Sequence, residues 1–100
     1  MTPEKNVQNR IEAYLKTVYK NGQQCLIFRR QAGGFSYKMG LPDLWCLLDG
    51  KHIEIEVKRP GGQQSSMQKK WEERLKNAGA LYICADSVDQ VKEFIKKKFF

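Results

Sequence analysis

The chain has 100 residues, of which 41% are apolar, so it can bury one compact core but not two. Lysine and arginine number 18 against 11 acidic residues, and the net charge of +7 indicates a polyanionic partner, either nucleic acid or an anionic membrane surface. No apolar run approaches the roughly 20 residues that span a bilayer, and no apolar stretch follows the first charges, so we expect one cytoplasmic domain over residues 1–100.

Apolar periodicity and turn residues predict the order of helices and strands. Thr2 is placed to cap a first helix that Asn21 and Gly22 end, and a short strand follows at residues 24–28. Residues 29–40 are predicted to form a mobile basic loop, because they combine arginine, lysine and glycine with two aromatic rings. A hairpin is predicted next, and after it a helix, a strand over residues 80–85 and a last helix. This order predicts an α/β fold with a mixed central sheet flanked by helices.

A hairpin over residues 41–58 is the most informative part of the sequence. Its turn at residues 49–50 is Asp-Gly, the dipeptide that best fits a two-residue hairpin turn, and the resulting register puts Asp43 opposite Glu56. The two side chains would then start about 5 Å apart. Alternation places only apolar residues on one face, which we expect to be the core, whereas the other face carries both acids and Lys58.

Two carboxylates that face each other across a hairpin should cost about 1 kcal/mol or more if both are ionised without a counter-ion. Mg²⁺ or Mn²⁺ would remove this repulsion, because both ions prefer hard oxygen ligands and keep several waters. Lys58 lies one pleat further along the same face, where it would stabilise the attacking water or a pentavalent phosphate. An acidic-x-Lys triplet alone carries little information, but residues 56–58 differ from residues 49–51 because they lie within a strand.

The cysteines and the histidine do not form a recognisable zinc site. Cys25, Cys46 and Cys84 are widely spaced, odd in number and each within an apolar run, so we expect reduced core residues. His52 has no cysteine or second histidine a few positions away, which disfavours structural or catalytic zinc. Its register position is also two or three residue pairs from Asp43, so we do not expect it to act as a general base.

The turn Gly40-Leu41-Pro42-Asp43 followed by Glu56-Val57-Lys58 resembles the PD-(D/E)xK nuclease superfamily, and it is most similar to the VRR-NUC (virus-type replication-repair nuclease) family. The resemblance extends from Glu12 in the first helix to Gln68 and the start of the next strand at residues 79–80. It therefore covers most of the chain and implies a restriction-endonuclease-like core of order α-β-β-β-α-β-α.

This resemblance also implies the roles of the site residues. Asp43, Glu56 and the backbone carbonyl of Val57 would hold Mg²⁺ or Mn²⁺, and Glu12 would approach the metal or its water. Gln68 would help to orient the lysine of the motif, Lys58, or a phosphate. The implied activity is that of a Mg²⁺-dependent DNA endonuclease that needs no nucleotide cofactor and acts away from membranes.

The family also joins a basic, aromatic-containing loop before the Pro-Asp turn to DNA binding. The matching residues here are Arg29, Arg30, Phe35, Tyr37 and Lys38, and Arg59 after the motif is a further expected DNA contact. Small stand-alone members, commonly phage-encoded and hence placed in the host cytoplasm, are associated with homodimers and with branched DNA such as four-way junctions. A two-fold dimer would place two sites on a symmetric substrate.

Other interpretations of these residues remain open. Glu12 borders the apolar stripe of its helix and can be an ordinary solvated residue, and Gln68 lies three residues after Ser65, where it can complete a capping box. Trp45 can stack on a base, although packing under a helix is the more common arrangement. The chain as a whole can instead be a nucleic-acid-binding module without catalysis, or a flap or other structure-specific nuclease.

Overall fold

The computed structural model describes residues 2–30 and 39–100. Within them the chain forms three helices, α1 (Pro3–Leu15), α2 (Ser66–Asn77) and α3 (Val88–Phe99), and six strands, β1 (Tyr19–Lys20), β2 (Gln23–Gln24), β3 (Leu26–Arg29), β4 (Leu44–Leu48), β5 (Lys51–Val57) and β6 (Leu81–Ala85). The expected mixed α/β fold is confirmed. The loop predicted before the Pro-Asp turn falls largely outside the described residues.

The first helix is shorter than predicted. It begins after Thr2, whose hydroxyl accepts a hydrogen bond from the amide of Lys5, and it ends at Leu15 rather than beside Asn21. Asn21 and Gly22 have φ angles of 53° and 75°, and they form the turn of a small hairpin that pairs β1 with β2. The Asn-Gly dipeptide is therefore a hairpin signal here and not a helix stop.

The main sheet has the strand order β3-β4-β5-β6. The first two pairings are antiparallel, and β5 pairs with β6 in parallel through the crossover helix α2. Asp49 and Gly50 have φ angles of 52° and 76°, as a two-residue hairpin turn requires. The register between β4 and β5 is confirmed, because Leu48 pairs with Lys51 and Leu44 pairs with Ile55.

The core lies on one face of this sheet. Its strand residues are those that alternation assigned to the apolar face, and each is at most 1% exposed: Leu44, Cys46, Leu48, Ile53, Ile55 and Val57. Helices α1 and α3 cover them with Val7, Ile11, Leu15, Val91, Ile95 and Phe99. Cys25 and Cys46 are buried thiols as expected, but Cys84 is exposed because it lies on the opposite face of β6.

Helix α2 packs against β6 on the other face and none of its residues is buried. The apolar side chains of this helix are therefore only partly covered, and Met67 remains 46% exposed. The face that carries the two acids is open at the β3 edge as far as the described residues extend. None of the helices in this part of the chain has the length and apolar character that a membrane crossing requires.

Candidate active site

The β4–β5 hairpin brings Asp43 and Glu56 together. Asp43 directly precedes β4, and the Leu44–Ile55 pair that follows it in the ladder places it beside Glu56. The amide of Val57 donates a hydrogen bond to Oδ2 of Asp43 over 2.9 Å, and the Asp43 carboxyl group acts on the pKa of Glu56 beside it. The backbone of β5 therefore fixes one oxygen of the Asp43 carboxyl group, and this group lies beside Glu56.

Glu56 is a buried residue, and the hydrogen-bonding capacity of its carboxyl group is only partly used. Its side chain is about 1% exposed, and its Oε1 has no hydrogen-bond partner among the described residues. Burial, together with the neighbouring Asp43 carboxyl group, raises the pKa of Glu56 to about 9. An unpartnered buried acceptor costs about 1–3 kcal/mol, so this site favours either a bound proton or a cation.

The residues present fit a hard divalent cation. Asp43 and Glu56 supply carboxylate oxygens of the type that Mg²⁺ and Mn²⁺ prefer, and the unpartnered Oε1 of Glu56 is available for coordination. In the described part of the chain, no three His, Cys, Asp or Glu side chains lie close enough to hold a metal by themselves. A cation held here would keep water among its ligands, as Mg²⁺ commonly does.

Lys58 supplies a positive charge close to Asp43 and Glu56. It follows β5 on the same face as Glu56, and its positive charge opposes the rise in the pKa of both Glu56 and Glu4. Its side chain borders a cleft of about 430 Å³ that is lined mainly by polar residues: Gln63, Gln64, Ser65 and Gln68, with Gly40 and Met67. Lys58 therefore lies near enough to Glu56 and Glu4 for its charge to act on them and also borders an open, polar cleft.

Glu4 is a site residue that the sequence analysis missed. It lies in the first turn of α1, where an acid is ordinary because it stabilises the helix N-terminus. Burial raises its pKa, and so does the negative charge of Asp43, while Lys58 lowers it. No local motif marks Glu4 as functional, because its position depends on how α1 docks on the sheet.

Glu12 does not interact with the Asp43–Glu56 pair but with Arg29. Its carboxylate accepts hydrogen bonds from Nε of Arg29 over 2.7 and 2.9 Å and from the amide group of Gln8 over 3.4 Å. Eight residues of helix separate it from Glu4, which corresponds to about 12 Å along the axis. The structure therefore brings Glu4, and not Glu12, close enough to interact with the carboxylate pair, and it gives Glu12 a partly buried ion pair with Arg29.

Gln68 completes the capping box of α2. Its Oε1 accepts a hydrogen bond from the Ser65 amide over 2.8 Å, and its own amide donates to the Ser65 hydroxyl over 3.2 Å. The capping alternative is thus confirmed. Because Gln68 also lines the cleft beside Lys58, the cap fixes a polar side chain on the wall of the cleft that the lysine borders.

Arg30 is tied to the protein rather than extended into solvent. Its guanidinium donates to both carboxylate oxygens of Glu54 over 2.6 and 3.0 Å and to the carbonyl of Pro42 over 2.9 Å. Its backbone amide donates to the carbonyl of Asp43, also over 2.9 Å. Arg30 therefore holds the Pro-Asp turn in place, a role that the sequence analysis, which assigned it to DNA, did not anticipate.

The remaining predicted DNA contacts have different surroundings. Arg29 is half exposed while it pairs with Glu12, and Arg59 is exposed. Phe35, Tyr37 and Lys38 lie outside the described residues. The described structure therefore leaves Arg29 and Arg59 as the cations of this set that solvent can reach readily.

Comparison with solved structures identifies relatives of this fold. One, named "VRR_NUC domain", superposes with a TM-score of 0.79 at 25% identity and covers 99% of this chain and 100% of that chain. Another, named "VRR_NUC domain protein", has a TM-score of 0.73 at 25% identity and covers 93% of this chain and 84% of that chain. No family model and no curated protein sequence matches the chain.

Proposed function

Because the chain belongs to the VRR-NUC family of nucleases, we propose that it is a metal-dependent DNA endonuclease with Asp43, Glu56 and Lys58 at its centre. The observation that carries this proposal is the buried carboxylate pair, in which an oxygen of Glu56 has no partner among the described residues. A purely structural pair would gain by pairing that oxygen with a protein donor. A site that binds a cation needs this oxygen of Glu56 to be free of a protein donor.

The proposed ligands are Asp43, Glu56 and the carbonyl of Val57. Glu4 lies close enough to this pair for its negative charge to raise the pKa of Glu56. When bound, Mg²⁺ or Mn²⁺ supplies a Lewis acid and a more acidic water at neutral pH. Glu12, placed in an ion pair with Arg29, is not part of this proposed set.

The residues of the chain contribute position and charge. The Val57 amide holds the Asp43 carboxylate in one orientation, and Glu56 must release its proton before both acids can act as ligands. Lys58 would then place a positive charge beside the phosphate, where negative charge grows as the attacking water adds. The capping box keeps Gln68 on the wall of the same cleft, in a position to contact the DNA backbone.

The proposed substrate is branched DNA, including four-way junctions, cut by a homodimer. The net charge of +7 supports a polyanionic substrate, and Arg29, Arg59, Tyr37 and Lys38 are the proposed backbone contacts. A domain of 100 residues has little surface beyond its own site to read DNA shape, so a two-fold dimer would supply the second arm contact and the second cut.

The test is a cleavage assay on linear duplex, single-stranded, flap, splayed and four-way DNA, with Mg²⁺, with Mn²⁺ and with EDTA. We expect cutting of branched forms that EDTA abolishes and that Asp43→Asn removes while DNA affinity is kept or increased. The matched control is Asp49→Asn, which changes an exposed turn carboxylate far from the pair. Equal cutting of all DNA forms would refute the branched-DNA proposal. Unchanged biological activity in Asp43→Asn would identify a non-catalytic binding module instead.

A further inference from the structure

Three aromatic rings form a column across the open face of the sheet. Phe28 on β3 stacks on Trp45 on β4, with ring centroids 4.1 Å apart and planes inclined by 15°. Trp45 in turn stacks on His52 of β5, with centroids 4.9 Å apart and planes inclined by 8°. The column lies on the same face as Asp43 and Glu56, whereas α2 covers β6 at the opposite edge of the sheet.

Polar contacts fix the His52 end of the column. Nε2 of His52 lies 2.6 Å from Oε2 of Glu54, and Glu54 is fixed by two hydrogen bonds from Arg30. Glu54 also pairs with Trp45 across the ladder. The His52 ring therefore has a fixed orientation before any ligand arrives, which lowers the entropic cost of stacking on it.

Sheet stability alone does not account for so much exposed apolar surface. Phe28 is 39% exposed, and two leucines on the same face, Leu26 and Leu47, are 53% and 36% exposed. Cross-strand ring pairs stabilise a sheet best when they are covered. Exposed rings in a rigid column are the kind of surface on which nucleic-acid bases stack.

The His52 end of the column opens into a cleft of about 600 Å³. His52, Glu54, Arg30 and Lys51 form its polar side, and Leu75 and Leu81 belong to its apolar side. Trp45 is absent from the cleft wall, so the His52 ring separates the tryptophan from the cavity. The volume is within the range of small-ligand sites, about 300–1,000 Å³, and the exposed cation Lys51 borders it.

We infer that this column and cleft bind an unpaired nucleobase of the DNA strand that is cut, an inference that rests on the proposed nuclease function. His52, whose ring borders the cleft, is four residues from Glu56, which is about 13 Å along a strand. A base stacked here therefore belongs to a nucleotide a short distance along the strand from the cut. The preferred substrate has a single-stranded nucleotide at that position, and uninterrupted duplex lacks it.

The nucleobase is favoured over a second copy of the chain as the occupant of this surface. The column is continuous with the proposed catalytic face, and the exposed cation Lys51 beside it matches a phosphate backbone. A second copy docked two-fold on this surface would instead bring its own Lys51 against the same cation, so this face is disfavoured for the contact of the proposed homodimer.

The test uses tryptophan fluorescence in EDTA, so that no cleavage is involved. The chain has two tryptophans, and Trp71→Phe leaves Trp45 as the reporter, whereas Trp45→Phe leaves Trp71 as the matched control. We expect oligo(dT) to quench the first variant and not the second, and blunt duplex to quench neither. In the Trp71→Phe background, His52→Ala should weaken oligo(dT) binding about tenfold, because the base loses the ring on which it stacks. Leu26→Ala, an apolar truncation on β3 outside the cleft, should leave it unchanged.

Several outcomes would overturn the inference. One is equal quenching of Trp45 by duplex and by oligo(dT), and another is unchanged oligo(dT) affinity in His52→Ala. If Phe28→Ala turns a dimer into a monomer in sedimentation while oligo(dT) affinity is kept, the column is a contact between copies of the chain. Quenching that persists in a protein unable to cut any DNA with Mg²⁺ would refute the nuclease proposal and leave the stacking site standing.

Discussion

Cation binding at the Asp43–Glu56 pair should release a proton. Burial and the neighbouring Asp43 raise the pKa of Glu56 to about 9, so at pH 7 this carboxyl is protonated in nearly every molecule. Coordination requires the ionised form. Binding of Mn²⁺ at pH 7 should therefore release about one proton per chain, and the affinity should rise about tenfold for each pH unit between 7 and 9.

The raised pKa of Glu56 also makes the stability of the metal-free protein depend on pH. Because the folded pKa of Glu56 is raised to about 9 from 4.5, the folded state binds more protons than the unfolded state between these values. Stability from this group is therefore fully present below about pH 4.5 and decreases as the pH rises, by at most about 1.4 kcal/mol per pH unit. Glu56→Gln should remove this dependence, since glutamine cannot titrate.

Calorimetric titration of Mn²⁺ in two buffers of different ionisation enthalpy measures the protons released, and urea unfolding between pH 5 and 9 measures the slope. Asp43→Asn is the matched variant for the first measurement, because without the neighbouring charge Glu56 should release less than one proton at pH 7. Binding of Mn²⁺ without proton release, or an unfolding slope that persists in Glu56→Gln, would refute this reasoning.

Three further predictions follow from side-chain contacts. Arg30→Ala should destabilise the protein by about 3–5 kcal/mol in urea unfolding, because it leaves the buried Glu54 carboxylate unpaired, and adding Glu54→Gln should recover part of that loss. Glu4→Gln should weaken Mn²⁺ binding about tenfold in calorimetry, whereas Glu12→Gln should not, because only the former interacts with the pair. Gly40→Ala should cost about 1–3 kcal/mol in thermal unfolding, since its φ is +78° and the added methyl would lie 3.0 Å from the first turn of α2. Native-like stability in the glycine variant would show that this close approach is not maintained.

The hairpin could be predicted from sequence because its determinants are local. Asp49 and Gly50 define the turn, the turn defines the register, and the register places Asp43 beside Glu56. Alternation along the strands then separates core from site without any knowledge of the rest of the fold. The capping box at Ser65 was predictable for the same reason.

The parts that sequence did not reveal depend on tertiary docking. Glu4 reaches the site only because α1 packs across the sheet in one particular orientation, and nothing in its own neighbourhood indicates this. Arg30 was assigned to DNA because it lies in a basic segment, whereas its partner Glu54 is 24 residues away in sequence. Cys84 was expected in the core because its strand is apolar, but α2 covers that face incompletely.

The most direct test of the proposed cation site is anomalous diffraction from crystals of the protein soaked in Mn²⁺. We predict one anomalous peak with an oxygen of Asp43 and an oxygen of Glu56 each about 2.1 Å away. Glu56→Gln crystals soaked in parallel should lose the peak. A chain that cuts DNA while its Mn²⁺ binds elsewhere, with the two carboxylates turned to opposite sides of the sheet, would contradict the proposed site.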